Sequence, residues 1–247
     1  MNFFKKFTQI LFPNTCLACN VIISHDGEFC ANCWKGLQFI NHPKCQKCSF
    51  PFEFSVDFSS DCSVQNSEKI CSNCLKKKPY YRKVYTIFRY NSTIGNAIAN
   101  FKYRDQTFIA KRFVKLINKF TDIDLKSYDL ITGVALHKKK LKTRKFNQAI
   151  LLAKFLSKDK LIYDLIIRVK NDNSQVKLGQ KQRVKNIKKA FMLNPKYKEN
   201  KLIKNKKILL IDDVITTSST INSISKILMR NKAKQVDVLA IAKTIFD

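Results

Sequence analysis

The sequence predicts an α/β protein, a parallel sheet flanked by helices and preceded by a small cysteine-rich module. Three observations carry this expectation. Apolar segments of strand length alternate with segments whose apolar residues recur near every 3.6 positions. The strand segments are apolar throughout rather than at every second residue, the pattern of strands covered on both faces. Eight of the nine cysteines form four C-x-x-C pairs, all within the first 74 residues.

The elements follow in order. Phe3, Phe4, Phe7, Ile10 and Leu11 fall near helical spacing. Lys5 and Lys6 interrupt them and no small-residue cleavage site follows, so a secretory signal is excluded. A short amphipathic helix docked on the body is the expectation, with a weak membrane-surface anchor as the alternative. No apolar run reaches the length of a transmembrane helix. After the cysteines, Val84 to Tyr90 reads as a strand, and Ile94 to Lys102 and Phe108 to Phe120 as helices. Tyr128 to Leu136 is a strand and Phe146 to Leu156 a helix. Leu161 to Val169 and Ala190 to Leu193 are strands, followed by Lys207 to Asp213, a continuous apolar run ending in two acids. Ser218 to Met229 is a helix and Val236 to Ala242 the last strand.

The pairs are Cys16/Cys19, Cys30/Cys33, Cys45/Cys48 and Cys71/Cys74. A C-x-x-C turn aims two thiolates at one point, and two such turns give a tetrahedral sulfur site suited to Zn²⁺. Eight ligands make two structural zinc sites, and with no water position left open neither is catalytic. Pairing the first knuckle with the second and the third with the fourth is simplest, and spacing also permits an interleaved pairing. Residues 1–78 are therefore expected to form a double zinc-ribbon module, its core filled by Phe29, Trp34, Phe39 and Phe50. A flexible Ser-rich insertion over about 50–67 carries the unpaired Cys62. Residues 79–247 are expected to form the α/β domain.

The chain carries 47 basic against 18 acidic residues, a net charge of +29. Nucleic acid, phosphate-rich ligands or an anionic membrane surface are the natural partners of such a charge. Of the 47, 39 are Lys and only 8 Arg. One reading of that excess is a Lys-, Asn- and Ile-rich compositional bias spread over a whole genome rather than selection in this protein, since geometric phosphate recognition favours Arg. Five Gly and five Pro exclude collagen-like and Pro/Gly-rich disordered classes. The densest basic run, His137 to Lys145, supplies Lys138, Lys139, Lys140, Lys142 and Lys145 as DNA-contact candidates. A solvated loop is its plainer reading.

The most informative stretch runs from Ile208 to Thr220. A buried strand delivers Asp212 and Asp213 to its carboxyl end, where ligands of parallel sheets bind. Thr216, Thr217, Ser218, Ser219 and Thr220 follow at once and open a helix. Unsatisfied N–H groups at that helix start form an anion cradle. The acids suit sugar hydroxyls and the cradle suits a phosphate, the two needs of a ribose 5-phosphate group. A single helix cap requires one such hydroxyl, not five.

This motif resembles the diphosphosugar loop of type I phosphoribosyltransferases, and the chain as a whole resembles the ComF (ComFC) family of competence-associated proteins. The resemblance runs through Leu11-Phe12-Pro13 before the first knuckle, Phe101-Lys102-Tyr103, and Leu136-His137. It continues through Arg144 to Ala149, and Arg168, Gln175, Leu178, Arg183, Asn186 and Phe191. It implies 5-phosphoribosyl diphosphate in the cleft with Mg²⁺. Asp212 and Asp213 would meet the ribose hydroxyls and residues 216–220 the 5-phosphate. His137 and Arg144 would lie near the diphosphate, beneath a flap over about 170–186 that carries Arg183 and Lys185.

The resemblance further implies a cytoplasmic or membrane-peripheral protein of natural transformation that handles incoming single-stranded DNA beside the translocation machinery. An active phosphoribosyltransferase with an unknown acceptor, and a non-catalytic diphosphosugar sensor, are the alternatives. No catalytic residue or base-recognition loop is assigned. Three positions depart from the family pattern. Ser218 and Lys145 stand where the family has Gly, and Ala135 where it has Pro. Ser lacks glycine's freedom at positive φ, so either the loop relaxes or phosphate affinity falls.

Overall fold

The structure is a computed structural model that describes residues 13–24, 27–52, 69–103, 106–169, 190–199 and 201–245. The N-terminal apolar segment, Cys62 with most of its insertion, and the flap with Arg183 lie outside the described residues.

Two short helices belong to the cysteine-rich part, α1 (Ala31–Lys35) and α2 (Ser72–Lys77). Then follow β1 (Val84–Arg89), α3 (Ser92–Tyr103), α4 (Gln106–Phe120), β2 (Leu130–Gly133), α5 (Lys138–Arg144) and α6 (Gln148–Leu156). The rest comprises β3 (Ile166–Arg168), β4 (Phe191–Leu193), α7 (Pro195–Glu199), β5 (Lys207–Ile215), α8 (Ser219–Arg230) and β6 (Gln235–Lys243). The main sheet is parallel with strand order β1-β6-β5-β2.

Why the strands read as unbroken apolar runs is visible in the register. Leu209, Ile211, Leu239 and Ile241 point into one core layer with α3, α4 and α6. Ile208, Leu210, Val236 and Val238 point into the other with α8 and the β3–β4 pair. Both faces are covered, so the strand interiors stay apolar except where a polar side chain is paired, as buried Asp237 is with Arg82 and Tyr128. β2 and α6 approach so closely that a Cβ on Gly133 would meet the Ile150 nitrogen at 2.8 Å.

Three expectations change in detail. The segment near 161–169 meets the main sheet only through one parallel bridge from Leu161 to Ile131 of β2, and Ile166–Arg168 then pairs antiparallel with Phe191–Leu193 as a separate ribbon. The strand expected over 128–136 is paired only over Leu130–Gly133. Tyr128 is instead buried with its hydroxyl donating to Asp237. The Lys-rich run, expected as a loop, is helix α5, begun by His137 as its cap. Lysine is a good helix former, so the run needs only the cap to start.

The aromatic residues assigned to a ribbon core lean on the α/β part instead. Phe39 stacks within 5.0 Å of both Phe88 and Phe120, and Phe29 meets Phe88 edge-on at 6.4 Å. Cys16 sits in the core layer of α3 and α4, whereas Cys45, Cys48 and Cys74 sit in that of α8. Each half of the module thus belongs to one face of the sheet.

Candidate functional site

The eight cysteines assemble as two groups, Cys16/Cys19/Cys30/Cys33 and Cys45/Cys48/Cys71/Cys74, with all sulfurs of a group within 4.8 Å of one another. The edge of a tetrahedron with Zn–S bonds near 2.3 Å is about 3.8 Å. Cys19 and Cys30 sulfurs lie 3.7 Å apart, and those of Cys48 and Cys71 3.6 Å apart. The donor set and its spacing fit structural Zn²⁺, and the adjacent rather than the interleaved pairing is the one formed. In the second group, hydrogen bonds from the Cys48 and Cys74 thiols push Cys45 far below the usual thiol range. One sulfur is therefore already biased to the thiolate a metal takes. The buried Lys243 donates to the Cys48 carbonyl and places its ammonium beside this group.

On the sheet, β5 carries Asp212 and Asp213 at its carboxyl end, both half-buried. Lys102, at the last turn of α3, pairs with Asp213 at 2.9 Å. Lys102 was not among the expected site residues, and the Phe101-Lys102-Tyr103 signature was the signal that could have found it. Burial, and then the neighbouring Asp213 charge, hold the Asp212 carboxyl well above the usual carboxylate range. One site thus contains an acid biased toward its protonated form beside an acid neutralised by lysine, and neither is set to repel an incoming phosphosugar.

Thr216 to Ser218 form the bend after β5, and Ser219 opens α8. Ser218 takes φ 58° and ψ 1°, the left-handed conformation, and its side chain makes no cap. The loop has therefore not relaxed: it keeps the backbone that glycine would give, with serine in it. Lys145 does the same at φ 63°, as the left-handed cap ending α5. Left-handed backbone costs a residue with a Cβ about 1–2 kcal/mol. Ser218→Gly and Lys145→Gly should each raise stability by about 0.5–1 kcal/mol once glycine's own unfolded-state entropy is offset. Denaturant titration checks this, and a fall in midpoint for both variants would contradict it.

The other predicted residues occupy the neighbouring strand end. Val134 N donates to the Ile211 carbonyl at 2.8 Å, which keeps the chain after β2 alongside β5. Asn147 donates to the Val134 carbonyl at 2.9 Å and caps α6 through Ala149 N and Ile150 N. His137 Nδ1 accepts from Lys139 N at 3.1 Å, and Arg144 reaches Gln148 at 3.4 Å. Lys139, Lys140, Lys142 and Lys145 are exposed.

A cleft of about 1150 Å³ runs from Thr216–Ser219 to the second cysteine group. Its lining includes α2 residues Ser72 to Cys74 with Lys77, then Tyr80, Tyr81, Asn222 and Lys226, and no carboxylate. Asp212, Asp213, Thr220, His137 and Arg144 lie outside this lining. Tyr81 is buried, lines this cleft with Ser218, and has its phenol pushed up mainly by that burial. The second cysteine group and the hydroxyl loop therefore face one cleft, an arrangement that apolar spacing does not reveal.

Comparison with known proteins agrees. A double zinc ribbon family model matches residues 7–63. The chain is 30% identical over 242 residues to competence protein F of Haemophilus influenzae, covering 94% of this chain and 98% of that one. It belongs to the ComF family. Further ComF relatives include DNA utilization protein YhgH of Escherichia coli K12, 25% identical across 96% of this chain and 100% of the relative. Competence protein ComFC of Bacillus subtilis is 25% identical, covering 90% of this chain and 87% of its own. Among solved structures, an allosteric regulatory enzyme of purine biosynthesis aligns at TM-score 0.34 and 17% identity, over 53% of this chain and 25% of that one. A Trypanosoma cruzi hypoxanthine phosphoribosyl transferase aligns at TM-score 0.30 and 12% identity, over 56% and 62%. Likeness that weak adds nothing to what the sheet and its strand ends already say. No helix among the described residues is long and apolar enough to cross a membrane.

Proposed function

We propose that this ComF protein acts in the handling of incoming DNA during natural transformation, with a cleft that binds 5-phosphoribosyl diphosphate and a basic surface that binds single-stranded DNA. The carrying observation is the end of β5. Two adjacent acids, one paired to Lys102, stand at a parallel-strand terminus directly before a left-handed hydroxyl bend and the start of α8. In this reading Asp212 and Asp213 accept from the ribose 2- and 3-hydroxyls. The N–H groups and hydroxyls of 216–220 hold the 5-phosphate. His137, Arg144 and Arg183 serve the diphosphate end. Magnesium enters with the diphosphate oxygens and offsets their charge. Each cysteine group holds one structural zinc, and exposed Lys139, Lys140, Lys142 and Lys145, with Lys138, face the strand.

Calorimetry with the diphosphosugar and magnesium tests the first half. Asp212→Asn with Asp213→Asn should lower affinity at least tenfold, since buried hydroxyl partners to charged groups contribute about 1.5–3 kcal/mol each. Stability separates this from unfolding. A carboxyl whose folded pKa is raised costs stability progressively as pH climbs from its ordinary value near 3.8 toward the raised one. Asp212→Asn removes that cost, so its melting temperature at neutral pH should hold or rise while binding is lost. Undiminished binding in the double variant would refute the reading. Strand affinity is tested by a salt series, where log K should fall with log salt by about 0.7 per phosphate neutralised.

A further inference from the structure

We propose that the cleft between the second cysteine group and the hydroxyl bend is a binding site for an unpaired nucleotide, its phosphate at Thr216–Ser219 and its base against Tyr80. The inference rests on the reading that this bend takes a phosphate. It adds a place for the base at Tyr80, just after the cysteine-rich part, on the wall shared with the second cysteine group.

Three features of the cleft carry it. Its size, about 1150 Å³, exceeds what a phosphate or a phosphopentose fills, since pockets for whole small ligands run from about 300 to 1,000 Å³. Among the described residues its charged side chains are Lys77, Lys226 and Lys243, with no carboxylate, and these lysines offset the thiolates of the second cysteine group at its wall. Its far wall offers a ring. Tyr80 is 43% exposed, although its backbone is fixed by an N–H bond of 2.8 Å to the Asn222 side chain. The Lys226 ammonium lies 5.0 Å from the centre of the Tyr80 ring. An aromatic ring held at a set position, with a cation over one face and a helix start one turn away, joins the two elements single-stranded nucleic acid sites combine. Asn222 and Asn73 add donors and acceptors able to meet any base edge without choosing among them.

The same chemistry is presented by a free nucleotide and by one unit of a strand. The zinc-loaded full chain is titrated with three probes: thymidine 5′-monophosphate, a short labelled oligo-dT, and an abasic strand of equal length. Tyr80→Ala should weaken the base-bearing probe about tenfold, within the range for loss of one stacked base. Tyr80→Phe should restore it, and Lys226→Ala should weaken it less. Tyr80 dependence in the oligonucleotide arm assigns the site to a strand, and in the monophosphate arm alone to a free nucleotide. The proposal is overturned if Tyr80→Ala and Lys226→Ala leave both probes within about twofold of wild type, or if the abasic strand binds as tightly as oligo-dT. Calorimetry with the diphosphosugar on the same variants keeps the two readings apart. Tyr80-dependent nucleotide binding without any diphosphosugar binding would remove the role of the acids and leave this site standing.

Discussion

Stripping the metal should collapse more than the cysteine-rich part. A ligand held at 1,000 times its dissociation constant stabilises the folded chain by about 4 kcal/mol per site. For a chain of this size that converts to roughly 8–16 °C in melting temperature. Two zinc ions make the loss severe for a protein whose total stability is of order 5–15 kcal/mol. The placement of the clusters sets how far the damage spreads. Cys16 is packed in one core layer with Phe88, Phe101 and Phe113, and Cys45, Cys48 and Cys74 in the other with Leu210 and Val238. Ser49 Oγ donates to the Val84 carbonyl at 2.6 Å, and Val84 N donates to the Lys47 carbonyl at 2.8 Å, so the second group is tied to β1 by its backbone. Chelation should therefore give one broad loss of structure seen by far-ultraviolet circular dichroism, with helix signal falling well beyond the few residues of α1 and α2. Metal analysis should return two zinc ions per chain before treatment. An unchanged melting temperature for the α/β part after complete removal would show that the sheet stands alone and that the shared core layers carry little of its stability.

How far the sequence exposed this arrangement depends on range. Apolar runs such as Ile208 to Ile211 announce a strand buried on both faces, because the covering layers leave no polar position. Their partners are not announced: Ile166–Arg168 is as apolar as β2, and only the folded chain shows that it pairs outside the main sheet. The knuckles were legible because a C-x-x-C turn is local, and the acids because they interrupt an apolar strand near its carboxyl end. Lys102 beside Asp213, and Tyr81 in one cleft with Ser218, are brought together across more than a hundred residues, which apolar spacing does not reveal, although the Phe101-Lys102-Tyr103 signature marks Lys102 itself. A third loss of legibility comes from composition. The described residues include eight non-glycine positions at positive φ, among them Lys78, Lys145, Lys201, Lys232 and Ser218, and no glycine there. Turn chemistry is normally read from Gly, but this chain has five in all. The same Lys and Asn bias that inflates the net charge has emptied the turns of their usual markers.

Arg112→Leu should be the most damaging single substitution outside the cysteines, costing about 3–5 kcal/mol, as removal of one partner from a buried ion pair does. Arg112 lies on α4, is 4% exposed, and pairs with Glu28 of the cysteine-rich part. Its guanidinium also donates to the carbonyls of Thr15 and Glu28, the latter at 2.9 Å. Those carbonyls flank the first cysteine group, and the Glu28 carbonyl also accepts from Leu17 N at 3.0 Å, so the guanidinium reinforces a knuckle held by few regular elements. Arginine is suited to this because its planar fork presents several donors in fixed directions, which lysine cannot copy. Leucine would strand the Glu28 carboxylate in a nearly enclosed position, with Lys115 3.9 Å away as its remaining cation. The decisive measurement is a double-mutant cycle by denaturant unfolding. If the buried charge is what hurts, Glu28→Gln in the Arg112→Leu background should recover stability, and the two losses should fall short of adding by about 1–3 kcal/mol. If the lost carbonyl bonds dominate instead, the second substitution recovers nothing, and zinc release from the first group should quicken in Arg112→Leu whether or not Glu28 is changed.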